Sequence, residues 1–417
     1  MLVYRLDAYR VYLFMGGLAS LAFSMIFTAL GVYYVQTVGM NPLQLVLVGT
    51  TIEATILLFE VPTGVVADTY SRRLSVIIGF ALIGLCYVLQ GFLPFFTAIL
   101  LAELVRGVGE TFTSGASDAW IADEIGSERV GRAYLRYGQV SRIAGFAGIG
   151  LGTGLATAQL RLPVMLGGGL LILLSGLLAL VMPERGFHPT VHENVTPWAG
   201  LRAITRTGVQ VVRGRPVVLM LLAVGVVFGA FSEGFDRLWE AHFLRTLAFP
   251  AWPALPPVVW IGLINAGSMV LGLAASEALI RRLDMADSRR LHGLLFAIAA
   301  GLAVSVITFG LAPGFGIGLA AFWAAGVLRS LQHPLASTWL NQQLPSRVRA
   351  TVLSIYGQSD ALGQLAGGPA VGLVGLRSLR AALVFSGVIL TPALLLYGRG
   401  LPMNEVEQPA PAVGSGE

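Results

Sequence analysis

The apolar residues of this 417-residue chain are gathered into runs that are each long enough to form one transmembrane helix. A bilayer core takes about 20 apolar residues per helix, and lipid offers no hydrogen-bond partner to a bare backbone, so each run must be helical. Twelve runs meet this condition, at residues 11–36, 42–67, 74–93, 95–118, 133–158, 162–182, 216–244, 257–280, 291–312, 314–340, 350–375 and 380–400. The pattern predicts an all-α membrane protein with twelve transmembrane helices.

The scarcity of charge supports the same class. Only 12% of the residues are charged, whereas soluble domains carry about 25%. The first run has no cleavage-like end, so we expect a retained span rather than a signal peptide. The single cysteine, Cys86, excludes an internal disulfide.

Arginine placement predicts the orientation. With the N-terminus in the cytoplasm, nineteen arginines fall in the inner segments, whereas the outer loops hold only Arg161, Arg245, Arg377 and Arg380. This is a positive-inside bias, and twelve spans then place both termini in the cytoplasm. The net positive charge of the chain comes from these arginine-rich loops. We therefore expect a lipid bilayer, and no nucleic acid, as partner.

The chain also reads as a duplication. "YSRRLSVIIGF" at 70–80 recurs as "DSRRLHGLLF" at 287–296, and "RYGQ" at 136–139 recurs as "IYGQ" at 355–358. Two pseudo-symmetric six-helix bundles with a cavity between them are a transporter architecture. The predicted domains are an N-terminal bundle at 1–182, a cytoplasmic linker at 183–215 with an amphipathic helix near 198–213, a C-terminal bundle at 216–400 and a disordered cytoplasmic tail at 401–417.

Charged residues inside the spans are costly, at about 3 kcal/mol or more each near the bilayer centre, so each needs a reason. In the seventh span, "FGAFSEGFDRLWEAHFL" places four charges at i, i+3, i+4 and i+7, which is one helix face. These four are Glu233, Asp236, Arg237 and Glu240. Arg237 can pair with Glu233 or Glu240, which leaves an excess of acid.

Other spans carry similar groups. Glu103, Arg106 and Glu110 share a face of the fourth span, and Glu53 and Glu60 share a face of the second. The remaining ionisable candidates inside the spans are Arg329, His333 and Asp360. One interpretation is a proton and substrate cavity lined by the fourth, seventh and tenth spans, because an acid in a low-dielectric cavity can load and release a proton near neutral pH. The other interpretation is a set of structural ion pairs.

A family resemblance rests on "GVVADTYSRR" at 64–73. It is similar to the loop signature of the major facilitator superfamily, with Gly64, Asp68, Arg72 and Arg73 matching and Thr69 and Ser71 departing. "SGASDAWIADE" and "SEGFDRLWEAH" resemble the drug/proton antiporter group related to macrolide and tetracycline exporters. The resemblance implies the major facilitator fold and alternating access. It also implies a cytoplasmic latch that includes Asp118 and Asp123.

The function implied is proton-coupled efflux of amphipathic drug-like molecules by a monomer in a bacterial inner membrane. The proton is the coupling ion, and neither a metal nor another cofactor is expected. An importer or facilitator of a small metabolite is the alternative on the same fold, and a non-transporting receptor or assembly factor is a third. A membrane enzyme is disfavoured because no span carries a metal cluster or a nucleophile–base pair, and "GIGLGTG" follows no strand.

Overall fold

The structure is a computed structural model, and it describes residues 7–189, 216–282, 288–342 and 346–398. Fourteen helices form in these segments, and α1 continues into a π-helical turn at Tyr34–Val38. The helices are α1 Ala8–Tyr33, α2 Pro42–Thr69, α3 Arg72–Phe92, α4 Phe96–Thr113, α5 Ala116–Ile125, α6 Ser127–Ala158, α7 Arg161–Val181, α8 Pro216–Arg245, α9 Pro257–Arg282, α10 Ser288–Leu311, α11 Phe315–Gln342, α12 Ser346–Arg377, α13 Leu379–Ile389 and α14 Thr391–Gly398.

Each of the twelve predicted runs corresponds to one of these helices or to a broken pair of them. Within the described segments, nine spans are long and apolar enough to cross a membrane, with α13 and α14 counted together. The other three are α4, α6 and α12, which are more polar. The all-α fold with twelve membrane helices is therefore confirmed.

Two predicted runs are interrupted. The run at 95–118 is not one helix, because α4 ends at Thr113 and α5 begins at Ala116. Gly115 between them has φ +69°, a left-handed conformation that glycine adopts without steric cost. The last run breaks at Leu390, just before Pro392, which has no backbone N–H to donate.

The two halves, α1–α7 and α8–α14, meet closely at one end of the bundle. Three glycines spaced along α12, at 368, 372 and 375, approach the first turns of α2. The Arg245 guanidinium at the end of α8 donates to the Met40 carbonyl in the α1–α2 turn at 2.7 Å. Small residues let helices approach closely in a membrane. We call this end, which arginine placement predicts to face outward, the outer end, and the opposite one the inner end.

The predicted amphipathic helix near 198–213 and the predicted tail at 401–417 lie outside the described residues. The start of the predicted linker, residues 183–189, is described and lies at the inner end beside the α2–α3 turn.

Candidate functional site

A cavity of about 1010 Å³ lies between the two halves. It extends from Val35 near the outer end to Gly16 nearer the inner end, which is about 28 Å along α1. Its inner part is solvent-exposed at Ser114, Gly115 and Asp118. Much of the wall is apolar or aromatic, from Phe23, Phe27, Tyr34, Trp239 and Met269. The volume is near the upper end of the range of about 300–1,000 Å³ that is typical of small-molecule pockets.

The lining differs from the predicted one. Residues of α4 and α8, the fourth and seventh spans, line the cavity as expected, together with residues of α1, α2, α3, α5, α6 and α9. None of the lining residues in the described chain belongs to α11, the tenth span. The tenth span reaches the site indirectly, because Arg329 of α11 binds an acid of α8.

The α8 strip is partly neutralised within its own helix. Arg237 Nε lies 3.1 Å from Oε1 of Glu233, one helical turn away, and Glu233 is only 2% exposed. The pair packs against Gly49 of α2, where any Cβ atom would collide with both side chains. An ion pair of α8 therefore also fills the interface with the opposite half.

Asp236 has a partner in another helix. Both of its carboxylate oxygens accept from the Arg329 guanidinium, with Nη2 at 2.7 Å from Oδ2. The same guanidinium lies 5.6 Å from the ring centres of Phe231 and Phe235. A bidentate pair held over aromatic rings fixes the orientation of both side chains. Sequence spacing could not reveal it, because the partners are 93 residues apart.

Glu240 is the acid of the strip without an arginine partner in the described structure. It lines the cavity, is 8% exposed, and its Oε2 atom is buried with no hydrogen-bond partner among the described residues. The carboxyl group lies against Gly31 of α1. A charged carboxylate without a partner is costly to bury.

The charges of α4 belong to a buried network. Arg106 donates to Oε2 of Glu103 at 2.7 Å and lies 3.7 Å from Glu110. Gln90 of α3 donates to the other oxygen of Glu103 at 2.7 Å and accepts from the Tyr34 hydroxyl at 2.6 Å. Glu103 is fully buried, whereas Glu110 lines the cavity. The network ties α1, α3 and α4 together.

The remaining predicted cavity residues lie away from the lining. Glu53 of α2 is half-buried and Glu60 is exposed, and neither lines the cavity. Asp360 of α12 accepts from Gln364 on its own helix at 2.7 Å. His333 of α11 is exposed and likewise does not line the cavity.

The predicted latch residues are grouped at the inner end. Arg72 of α3 donates to the Asp123 carboxylate, to the Ala119 carbonyl at 3.1 Å and to Asp68 at 3.4 Å. The Arg73 side chain donates to the Ala179 carbonyl. Gly64 faces open space, since a Cβ atom there would meet nothing within 4 Å.

Two further acids, missed at the sequence level, hold the chain after α7 against this group. Glu184 accepts from the Ser71 hydroxyl at 2.7 Å and from the Arg73 amide at 2.9 Å. Glu124 of α5 accepts from the amides of Arg185 and Gly186. The only sequence signal was the position of Glu184 at the start of a polar segment.

Asp118 lies apart from the Arg72 group. Its carboxylate accepts from the Tyr12 hydroxyl of α1 at 2.8 Å and lines the inner part of the cavity. The Tyr12 ring stacks on Tyr137 of α6, with ring centres 4.5 Å apart. One carboxylate beside two tyrosine rings therefore stands where the cavity meets solvent.

Comparison with known proteins agrees with this architecture. The sequence model described as Major Facilitator Superfamily matches residues 12–300, which is more than half of the chain. The chain belongs to the major facilitator superfamily. This superfamily consists of transporters, so a small-molecule substrate in a membrane setting follows for this chain.

Relatives of this transporter span nearly its whole length. The uncharacterized MFS-type transporter YxaM of Bacillus subtilis (strain 168) is 23% identical over 378 residues, which cover 89% of this chain and 91% of that protein. A mutant of the nucleoside transporter NupG has a TM-score of 0.75 at 13% identity, covering 94% of this chain and 99% of that one. A POT family transporter in complex with a thioalcohol-conjugated peptide has a TM-score of 0.68 at 13% identity, with 93% and 95% covered. These two structures share the fold.

Proposed function

We propose that this transporter is a proton-coupled exporter of amphipathic drug-like small molecules that works by alternating access. The observation that carries the proposal is Glu240, a buried acid without an arginine partner in the described structure, on the wall of a drug-sized cavity. The aromatic and apolar wall suits an amphipathic ligand, and the acid suits a proton.

The neighbours of Glu240 explain why it, rather than another acid of the strip, is our candidate proton carrier. On α8, Arg237 is paired with Glu233 and Asp236 with Arg329. On the facing part of α1, the titratable residue that lines the cavity is Tyr34. The charge of each of those two acids is compensated by an arginine, whereas no described arginine compensates the charge that Glu240 would carry.

The position of Glu240 also suggests how a proton would cross. In this arrangement the outer ends of the halves are in contact, and Glu240 is reachable from the cavity. A proton taken up while the outer end is open would then leave toward the inner side after that end closes. Substrate moving the opposite way completes an exchange cycle, in which each ligand shifts the balance between two conformations.

Proteoliposomes with an imposed proton gradient test the proposal. Wild-type protein should move an amphipathic fluorescent substrate against the direction of proton flow, with matching acidification reported by a trapped pH dye. Glu240→Gln should keep substrate binding but lose gradient-driven transport. Glu277→Gln is the matched control, because Glu277 is an exposed acid paired with Arg281 on α9.

Gradient-driven transport that survives in Glu240→Gln would refute Glu240 as the proton carrier. Substrate moving in the same direction as the protons would refute export and favour the importer alternative. Flux that does not respond to collapse of the gradient would refute proton coupling and favour a facilitator.

A further inference from the structure

We propose that the outer loop between α8 and α9, residues 246–256, docks on the lipid headgroup region of the leaflet at the outer end, with Trp252 as its anchor. The partner of this surface is therefore the bilayer and not another protein. Docking depends neither on the substrate nor on the direction of transport, so it is independent of the proposed function.

The outer loop is apolar along nearly its whole length. Its sequence is "TLAFPAWPALP", and apart from the tryptophan rings the next side chain after Thr246 that can form a hydrogen bond is Asn265, well inside α9. Loops that run through water normally carry polar side chains. A contiguous exposed apolar surface marks a site that binds a membrane or a partner.

The base of the loop is held on the C-terminal half. Leu247 is buried against Gly318 of α11, where a Cβ atom would lie 2.6 Å from the Leu247 Cδ1 atom. The Phe249 ring centre lies 6.2 Å from that of Trp260 in α9 and 5.6 Å from that of Phe315 in α11. These contacts fix the two ends of the loop over α9 and α11 and leave its middle unpacked.

The tip of the loop, residues 251–254, projects from this base. All four residues are exposed, and Trp252, at 88%, is the most exposed large apolar side chain in the described part of the chain. Tryptophan combines an apolar ring with one N–H group and is enriched where a bilayer meets water. The prolines at 250, 253 and 256 have no N–H, so the loop brings fewer backbone donors into that layer.

The loop stands over the lipid-facing side of the bundle. Leu263 and Val270 of α9 and Ile317 of α11 are each more than half exposed, and neither they nor the loop residues line the central cavity. A separate groove of about 480 Å³ between α9 and α11 is lined by apolar side chains and by Trp323, whose ring N–H already donates to a backbone carbonyl. Exposed apolar side chains within a span face lipid tails. The loop above them therefore lies at the level of the headgroups.

The size of the tip favours lipid over a second copy of this chain. A stable protein–protein interface buries at least about 1,000 Å² in total, whereas one aromatic side chain buries about 150–250 Å². A narrow tip without a charged side chain also offers no ion pair to a protein partner. The headgroup region accepts a single amphipathic ring and needs no matching surface.

A fluorescent probe beside Trp252 tests the docking. Ala254→Cys is labelled with the environment-sensitive dye NBD and reconstituted as full-length protein, one copy per phosphatidylcholine nanodisc. The discs are either plain or contain a lipid with a nitroxide near the headgroup end of its chain. Cys86 is fully buried, so the native thiol should not react. The nitroxide lipid should quench most of the probe fluorescence, and aqueous iodide should quench little of it.

Two comparisons make the result specific. Gln159→Cys is the matched control, because Gln159 is an exposed polar residue in the α6–α7 turn at the same end, and its probe should be quenched mainly by iodide. With the probe kept at position 254, Trp252→Asp should increase iodide quenching. Trp252→Tyr keeps an amphipathic ring and should preserve quenching by the lipid. Ala251→Cys is a second exposed probe site that should behave like the first.

Iodide quenching at position 254 as strong as at position 159 would show that the tip stands in water, which overturns the docking. A probe protected from both quenchers would show that protein covers the tip, which also overturns it. Protection from iodide that appears only in discs holding two copies would assign the tip to a second copy. Unchanged quenching in Trp252→Asp would refute Trp252 as the anchor.

Discussion

Glu240 of α8 and Gly31 of α1 touch across the interface between the two halves, and the carboxyl group occupies the space that any side chain at position 31 would need. The contact links the candidate proton carrier to closure of the outer end. A change on either side of the contact should therefore alter the balance between conformations.

Gly31→Ala should shift the protein toward an arrangement with an open outer end. Overpacking a closed interface costs about 1–3 kcal/mol; because the carboxyl end of Glu240 can move partly aside into the cavity, the cost here should lie at the low end of that range, and it falls on the closed state alone. A cysteine at the cavity residue Ser24 should then react faster with an impermeant maleimide added on the outer side. Gly150→Ala is the control, because a Cβ atom there would meet nothing within 4 Å. Equal labelling rates in the two variants would show that the contact does not govern closure.

The Asp236–Arg329 pair should be worth only a modest free energy. Its side chains are 42% and 32% exposed, so a double-mutant cycle with Asp236→Asn and Arg329→Gln should give a coupling of about 1 kcal/mol in thermal unfolding. The Glu277–Arg281 pair, at 59% and 74% exposure, should give a coupling near zero. If the Asp236–Arg329 pair also gave a coupling near zero, the stability of the contact between α8 and α11 would not depend on this pair.

The two acids of α4 should differ sharply although they share one arginine. Glu103→Gln removes the fully buried partner of Arg106 and should destabilise the protein by about 3 kcal/mol. Glu110→Gln removes a partner that is 31% exposed and 3.7 Å away, so its cost should stay within about 1 kcal/mol. Thermal unfolding in detergent measures both. Similar losses of stability in the two variants would show that Glu103 is not the main structural partner of Arg106.

Asp68→Asn should slow turnover while leaving substrate affinity nearly unchanged. Arg72 keeps its bonds to Asp123 and Ala119 in this variant, so the N-terminal half should remain folded. Asp123→Asn is the comparison, because it removes the carboxylate on α5 that binds Arg72 and should lower stability. Initial transport rates at saturating substrate, with binding measured in parallel, separate the two effects. A loss of affinity in Asp68→Asn would contradict a role in the conformational step.

The sequence predicted the relations between side chains of the same helix. The spacing of Glu233, Asp236, Arg237 and Glu240 required one face, and the structure pairs Arg237 with Glu233, one of the two expected partners. His242 of the same helix is buried and hydrogen-bonded to Phe309. Helical periodicity fixes such relations before any tertiary contact forms.

Contacts between helices were beyond the same reasoning. The Asp236–Arg329 pair and the Tyr12–Asp118 bond join residues that lie 93 and 106 positions apart. They depend on how each helix is rotated against its neighbours. The break at Gly115 carried a local signal, a Ser-Gly dipeptide, which the apolar length of the run outweighed. The placement of the tenth span outside the cavity lining likewise follows from helix packing.

The bonds that Glu184 and Glu124 make have a consequence for the covalent link between the halves. The segment at 183–189 is fastened to α3 and α5 of its own half, so these polar contacts are complete before residue 190. The described contacts of this segment therefore lie within the N-terminal half. Two separately encoded fragments, divided within 190–215, should assemble into the same bundle when made together in one cell.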